Sequence, residues 1–375
     1  MVLSFCLAIP SCLGVKLSNL DSSEPMGALS LILNPGALNV SGKILIIHGA
    51  GSSATSLYDP DTDSITPTTP LTSGAGYGST SVLLTTGPKK GLIWISHGSS
   101  TQTSFFDTAT SAMTSGPNLS LNPQDGANLF LVSSGARAGQ YMLIYGGAQT
   151  QASFFDPQTL SISSPAPASG TFDFGSNTYA SRAGKALIIN GGSTGGTTEY
   201  DFAADTFAAG PVLSASTGAG SFSFLISSGL RAGKTFVAAG NGSPSSSIYD
   251  PSTNSFSSFS GNNNCSVGNG GTVLPINSGP QTGSFFLLTG NSSSMACYYD
   301  PSTDGVVTYV VLNNTVSFGG SAETILKGPR TGQILIVHGN GALTTDYYDP
   351  ATGTLTAGPV LSTSVGVGGH MIQLP

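Results

Sequence analysis

Tyr299-Asp300-Pro301-Ser302-Thr303 reads as the end of a strand followed by a tight turn: an aromatic residue, Asp, Pro, and Thr three residues after the Asp. Pro presets φ for the first corner of a type I turn, and Asp suits the position before it. The chain carries this marker seven times, without the Pro in two copies and without the Thr in one of those two, at Tyr58-Asp59-Pro60, Phe106-Asp107, Phe155-Asp156-Pro157, Tyr200-Asp201, Tyr249-Asp250-Pro251, Tyr299-Asp300-Pro301 and Tyr348-Asp349-Pro350. Successive Asp residues stand 48, 49, 45, 49, 50 and 49 positions apart. A fixed period of this size, with no 3.6-residue apolar rhythm, belongs to a propeller blade and not to a helical solenoid.

Outward from the marker, each repeat fills in as a blade. Six positions after the Asp sits an apolar residue, expected in the core: Ile65, Met113, Ile162, Phe207, Phe256, Val306 or Leu355. Before the aromatic lies a short apolar run ending in Gly, such as Ile44 to Gly49 or Tyr141 to Gly147. Before that come another strand and a hairpin loop. Loops such as Ser134-Gly135-Ala136-Arg137-Ala138-Gly139 supply residues that tolerate positive φ. Each unit therefore reads as four antiparallel strands, a to d, with the Asp-Pro turn between c and d. The expected fold is all-β, a seven-bladed propeller of four-stranded antiparallel blades. Two segments compete for the innermost strand of the first blade, residues 28–33 and the C-terminal Gly368 to Pro375, and the C-terminal segment is favoured.

An apolar strand, Gly-Gly, a Tyr-Asp-Pro-x-Thr turn and a following apolar residue together resemble the bacterial kelch repeat, from about residue 28 to the C-terminus. The Trp usual after the turn is replaced by smaller apolar residues, and the Gly doublet is intact only at Gly146-Gly147 and Gly191-Gly192. Some kelch-like propellers are enzymes, among them copper oxidases with paired Tyr and His ligands, and sialic acid epimerases with acid and base groups near the axis.

Composition narrows the function classes. The 11 basic and 18 acidic residues offer no phosphate-neutralising surface, which argues against nucleic acid as a partner. With 51 Gly and only 8% charged residues, the chain reads as short strands and tight turns around ample core material. Residues 1–25 form a separate region, before a propeller spanning 26–375. Apolar residues lead into Cys12 as in a lipoprotein export signal, although no Lys or Arg precedes them. The expectation is signal-peptide cleavage with lipid on Cys12, cleavage without lipid and a plain apolar N-terminus being the other readings, and a monomeric protein held at a bacterial outer membrane, cell surface or periplasm through that lipid alone. Cys265 and Cys297 then remain as a possible disulfide in an oxidising compartment, an unbridged pair being the other reading.

Few residues look equipped for catalysis. His48, His97 and His338 share one place in their repeats, but on strand b equivalent positions of adjacent blades are on the order of 10 Å apart, too far to share a metal. His370 lies in a different strand. The Glu residues are Glu24, Glu199 and Glu323, and the Asp residues mostly serve turns. No metal, no cofactor and no catalytic residue is expected. Positive charge is more organised: Arg137, Arg182, Arg231 and Arg330 all lie in or beside a-to-b loops, on the face that also bears the turn aspartates. These four are the candidate binding residues, the other and stronger reading being hairpin-loop charges that pair weakly with Asp59 and its equivalents. The leading expectation is a non-catalytic exported propeller, not an enzyme, presenting loops to a protein or glycan ligand. The alternative is a carbohydrate-active propeller enzyme of sugar-oxidase or sialic-acid-epimerase type.

Overall fold

The computed structural model describes residues 42–259 and 265–375. The lipoprotein-like segment with Cys12, and the competing strand at 28–33, lie outside the described residues.

The fold is all-β, with seven antiparallel blades in a closed ring and, among the described residues, a single 3-10 turn at Gly229–Arg231. Blade I takes strand a from the C-terminus, His370–Gln373, and strands b, c and d from Ile44–Ile47, Thr55–Asp59 and Ser64–Pro67. The C-terminal strand pairs antiparallel with strand b, Ile44 opposite Gln373 and Ile47 opposite His370, and so ties the two ends of the ring together. Blades II to VII begin at strands a Thr80–Leu83, Asn128–Leu131, Asn177–Arg182, Phe222–Leu225, Thr272–Pro275 and Ser321–Thr324.

Burial explains the residue types. Strand b sits between two neighbouring blades, so both its faces are covered and it reads as an unbroken apolar run, as in Ile44–Ile47 and Ile334–Val337. Seven apolar clusters follow, each seated between adjacent blades. The cluster between VII and I joins Leu335, Val337 and Tyr347 to Ile44, Tyr58 and Met371.

The Asp of the marker has a defined task. In all seven copies its Oδ1 accepts the backbone N–H two residues on, as Asp59 does from Asp61 (3.0 Å) and Asp300 from Ser302 (2.8 Å). This bond closes the c-to-d turn locally.

Two expectations need refinement. The residue six after the Asp is fully buried only at Val306, because strand d is outermost and covered less; the other six are half-buried. Blade III has a fifth strand, Ala166–Phe172, paired with strand c. Its strand d, Ser161–Ile162, is interrupted before Pro165, which has no N–H to donate, and pairing resumes at Ala152–Ala166.

Cys265 and Cys297 are joined in a disulfide between blades V and VI, their Cα atoms 6.3 Å apart. Both are buried in the cluster of that interface.

Candidate active site

The seven a strands touch their neighbours all the way round the ring, so they line its axis. Many of their residues are only half-buried, as at Thr80–Leu83 and Asn128–Leu131, although they lie at the centre of the molecule. Partial exposure there marks the wall of an axial tunnel. At the d-to-a end the tunnel opens into a cavity of about 190 Å³, whose wall includes Tyr77, Asp125, Gly220, Asn269, Phe318 and Gly368. Gly220 has φ +75°, and a Cβ there would strike the Gly268 carbonyl of the next blade. Equivalent glycines in the other blades make the same approach, so the mouth is walled largely by backbone.

Inside this mouth the a strands are linked side chain to side chain. Asn177 donates from Nδ2 to Ser221 Oγ (3.1 Å), and its Oδ1 accepts from Ser223 (2.6 Å). Asn128 makes the same reach to Ser176 and Thr178. In blade I the equivalent position is His370. Its Nδ1 lies 3.1 Å from the Gly368 carbonyl and its Nε2 2.9 Å from Ser81 Oγ of blade II. A carbonyl can only accept, so Nδ1 carries the proton; in the neutral ring Nε2 then accepts from the Ser81 hydroxyl. Burial holds the His370 pKa below 6.5, partly opposed by the Gly368 bond. Neutral imidazole, with the Nε2 lone pair turned to Ser81, is thus the resting form near pH 7.

Glu323 stands in strand a of blade VII, beside that of blade I, and lies two residues deeper along its strand than His370 does along its own. Two residues correspond to about 7 Å along the tunnel. The same register position in the other blades holds Val82, Phe130, Tyr179, Phe224, Leu274 and Ile372, all apolar or aromatic. Glu323 is half-buried with no ion-pair partner among the described residues, and burial alone pushes its carboxyl up to about 8. It is therefore a protonated acid at neutral pH. At the mouth, burial raises the Asp125 carboxyl, the Gly126 N–H opposes the rise, and the charge of Asp173 adds to it. Adjoining a strands at the axis thus hold an acid in its protonated form and a base in its neutral form.

The remaining histidines are committed within their own blades: His48 to Ser56 (2.8 Å), His97 to Ser104 (2.7 Å) and His338 to Asp346 (3.0 Å). The four arginines lie where the loops put them, and each is ion-paired. Arg137, Arg231 and Arg330 reach the next blade, to Asp205 (2.6 Å), Asp304 (2.7 Å) and Asp63 (2.6 Å). Arg182 pairs with Glu199 of its own blade (2.9 Å). A ligand that used these guanidinium groups would have to compete with those carboxylates. The Asp partners are not visible as such in the marker: they stand four residues after its Asp, in the left-handed conformation (φ 53° at Asp63, 54° at Asp205, 52° at Asp304).

No family model matches the chain, and no curated protein matches it in sequence. Solved structures do match in fold. A fungal alcohol oxidase of the AA5 family, in complex with copper, superposes with a TM-score of 0.58 at 15% identity, over 80% of this chain and 70% of that one. The dihydro-heme d1 dehydrogenase NirN, in complex with DHE, superposes with a TM-score of 0.56 at 10% identity, over 94% of this chain and 80% of that one. At these identities the likeness establishes the propeller; membership of the kelch family does not follow from it.

The expectation that the chain is not an enzyme is corrected by these neighbours, both of which are enzymes that superpose on this propeller. That expectation rests on a count of acid and base residues, and a count misses what the tunnel does to Glu323 and His370. Among the described residues no three His, Cys, Asp or Glu side chains gather as metal ligands.

Proposed function

We propose that the chain is a propeller enzyme that moves protons on a carbohydrate-class substrate in the axial tunnel. The reading is carried by Glu323 and His370, an acid and a base on adjoining strands, each shifted by burial into the form that can act near neutral pH. The substrate class is suggested by the tunnel's neutral donors and acceptors, among them Ser81, Asn128, Asn177, Thr178 and Ser223, which suit a polyhydroxylated molecule. His370, acting through the Ser81 hydroxyl, takes a proton from carbon next to a carbonyl, and Glu323 returns one to the resulting enolate. The net reaction is isomerisation or epimerisation, with no oxidant required.

Incubating the protein with a panel of reducing and N-acetylated sugars in D2O, followed by proton NMR, should reveal C–H exchange or a new epimer. Activity should rise with pH as His370 loses its proton below 6.5 and fall above about 8 as Glu323 ionises. Glu323→Gln and His370→Gln should each remove it. Exchange that persists in both variants, or its absence with every sugar of the panel, would overturn this reading.

Export is the second part of the proposal. The buried Cys265–Cys297 disulfide supports an oxidising compartment, and Cys12 is the residue proposed to carry lipid. Intact mass of the protein from its native membrane fraction should show loss of the first eleven residues and gain of acyl chains. An unmodified Met1 would remove the tether.

A further inference from the structure

The mouth at the d-to-a end is not uniform around its circumference. In each blade one residue precedes the positive-φ glycine of the d-to-a loop, and its type varies. Phe318, Val367 and Tyr77 fill this position in VII, I and II, which are consecutive once the ring closes. Asn269 fills it in VI and Asp125 in III. All five border the cavity of about 190 Å³. An apolar, partly aromatic arc is thus flanked by an amide at one end and a carboxyl at the other.

The backbone of this rim is fixed while its side chains stay available. The carbonyls of Val367, Phe318, Asn269 and Asp125 accept N–H groups from b-to-c loops, those of Ala50 (2.6 Å), Asn340 (2.7 Å), Asn291 (2.7 Å) and Gly147 (2.8 Å). A rim set in this way has little order left to lose when a ligand arrives. Tyr77 is 44% exposed although it stands at the central opening. The Asn269 amide makes no side-chain hydrogen bond among the described residues. Charge divides the two ends of the ring. Every Lys and Arg among the described residues lies at the far end, in or beside an a-to-b loop or at the start of strand b. Among the described residues the only charged side chains of the d-to-a loops are Asp125 and Asp173, both acidic.

We propose that the mouth is a subsite for one uncharged sugar ring, which lays its apolar face on Tyr77 and turns its hydroxyls to Asp125 and Asn269. The inference rests on the carbohydrate reading above and narrows it to sugars without a carboxylate, sulfate or phosphate. A pyranose carries C–H bonds on its face and hydroxyls around its edge. The C–H face meets the negative face of an aromatic ring, and the edge needs donors and acceptors, as the arc and its flanks provide. An anionic sugar would bring its charge to an opening without a cation and beside Asp125, so its lost hydration would not be replaced. The position also suits the chemistry below it. His370 and Ser81 follow Val367 and Tyr77 by three and four residues, so a ring on this arc stands at the head of the two strands that carry them.

The probes are the methyl glycosides of glucose, galactose, mannose and N-acetylglucosamine, with methyl glucuronide and methyl galacturonide as charged counterparts. A methyl glycoside has no carbonyl to form, so binding is read apart from turnover and the test stands even if the proton-transfer reading fails. Saturable binding of at least one neutral glycoside, followed by NMR or calorimetry, is expected, with the uronates at least about tenfold weaker. Tyr77→Phe keeps the ring and should bind within about twofold of wild type, whereas Tyr77→Ala should lose about tenfold. Both should keep the wild-type thermal midpoint, because Tyr77 is exposed. No binding of any neutral glycoside, equal binding of the uronates, or wild-type affinity in Tyr77→Ala would each overturn the proposal. Sugar turnover with an unchanged KM in Tyr77→Ala would also overturn it, while leaving the roles of Glu323 and His370 intact.

Discussion

Deleting residues 370–375 is expected to abolish cooperative folding. The deleted strand contributes the whole a position of blade I, with four residues paired to Ile44–Ile47. Met371 and Leu374 are buried, in the clusters facing blades VII and II respectively, and Ile372 packs against the latter. At roughly 2 kcal/mol for each large apolar side chain returned to water, these three alone represent about 6 kcal/mol. A domain's whole margin is typically about 5 to 15 kcal/mol. The loss extends further, because an open ring leaves blades I and VII facing each other without the strand that seals them. A urea titration followed by near-UV circular dichroism should show no sigmoidal transition for the shortened chain. Adding the missing strand as a synthetic peptide should restore part of one. An unchanged midpoint would mean that another segment, residues 28–33 being the candidate, can fill the slot.

The ring is legible in the sequence because it is written seven times. The Asp of each marker recurs for one physical reason, closing the c-to-d turn, and the unbroken apolar runs of strand b recur for another, burial on both faces. Side chains placed by register are harder to read. Glu323 can be found by aligning the a strands, where it is the single acid in a column of Val82, Phe130, Tyr179, Phe224, Leu274 and Ile372. Its acidity cannot, since that depends on how closely two blades approach at the axis. His370 is a similar case: its strand reads as the ring's closure, but its bond to Ser81 crosses between residues 289 positions apart. The arginines fall on one face as their loops imply, yet their Asp partners in the adjacent blade stand four places beyond the marker Asp. Only the closed ring brings these into reach.

Replacing Glu323 by Gln is expected to stabilise the protein in alkaline solution and to leave it nearly unchanged in acid. The folded-state pKa is raised to about 8 from an ordinary 4.5, so the native protein keeps a proton that the unfolded chain releases. Stability from this group is fully present below 4.5 and is lost as pH rises toward about 8, because unfolding releases a proton throughout that window. Gln has nearly the same shape and no proton to lose, so it removes the slope. The difference between variant and wild type should open above pH 4.5 and level off past about 8, at a size on the order of 2 to 3 kcal/mol once water in the tunnel is allowed for. The histidines act in the opposite direction. Burial lowers His48, His97 and His370, so their contribution is present above 6.5 and is lost as pH falls through their folded-state values, to about 4 for His97. Those groups are common to both proteins and cancel in the comparison. Urea midpoints across the range give the result directly, and parallel curves for the two proteins would show that the carboxyl is not held protonated. A divergence of the expected sign, together with loss of sugar turnover, would identify Glu323 as a group kept at a cost to stability because the tunnel needs an acid there.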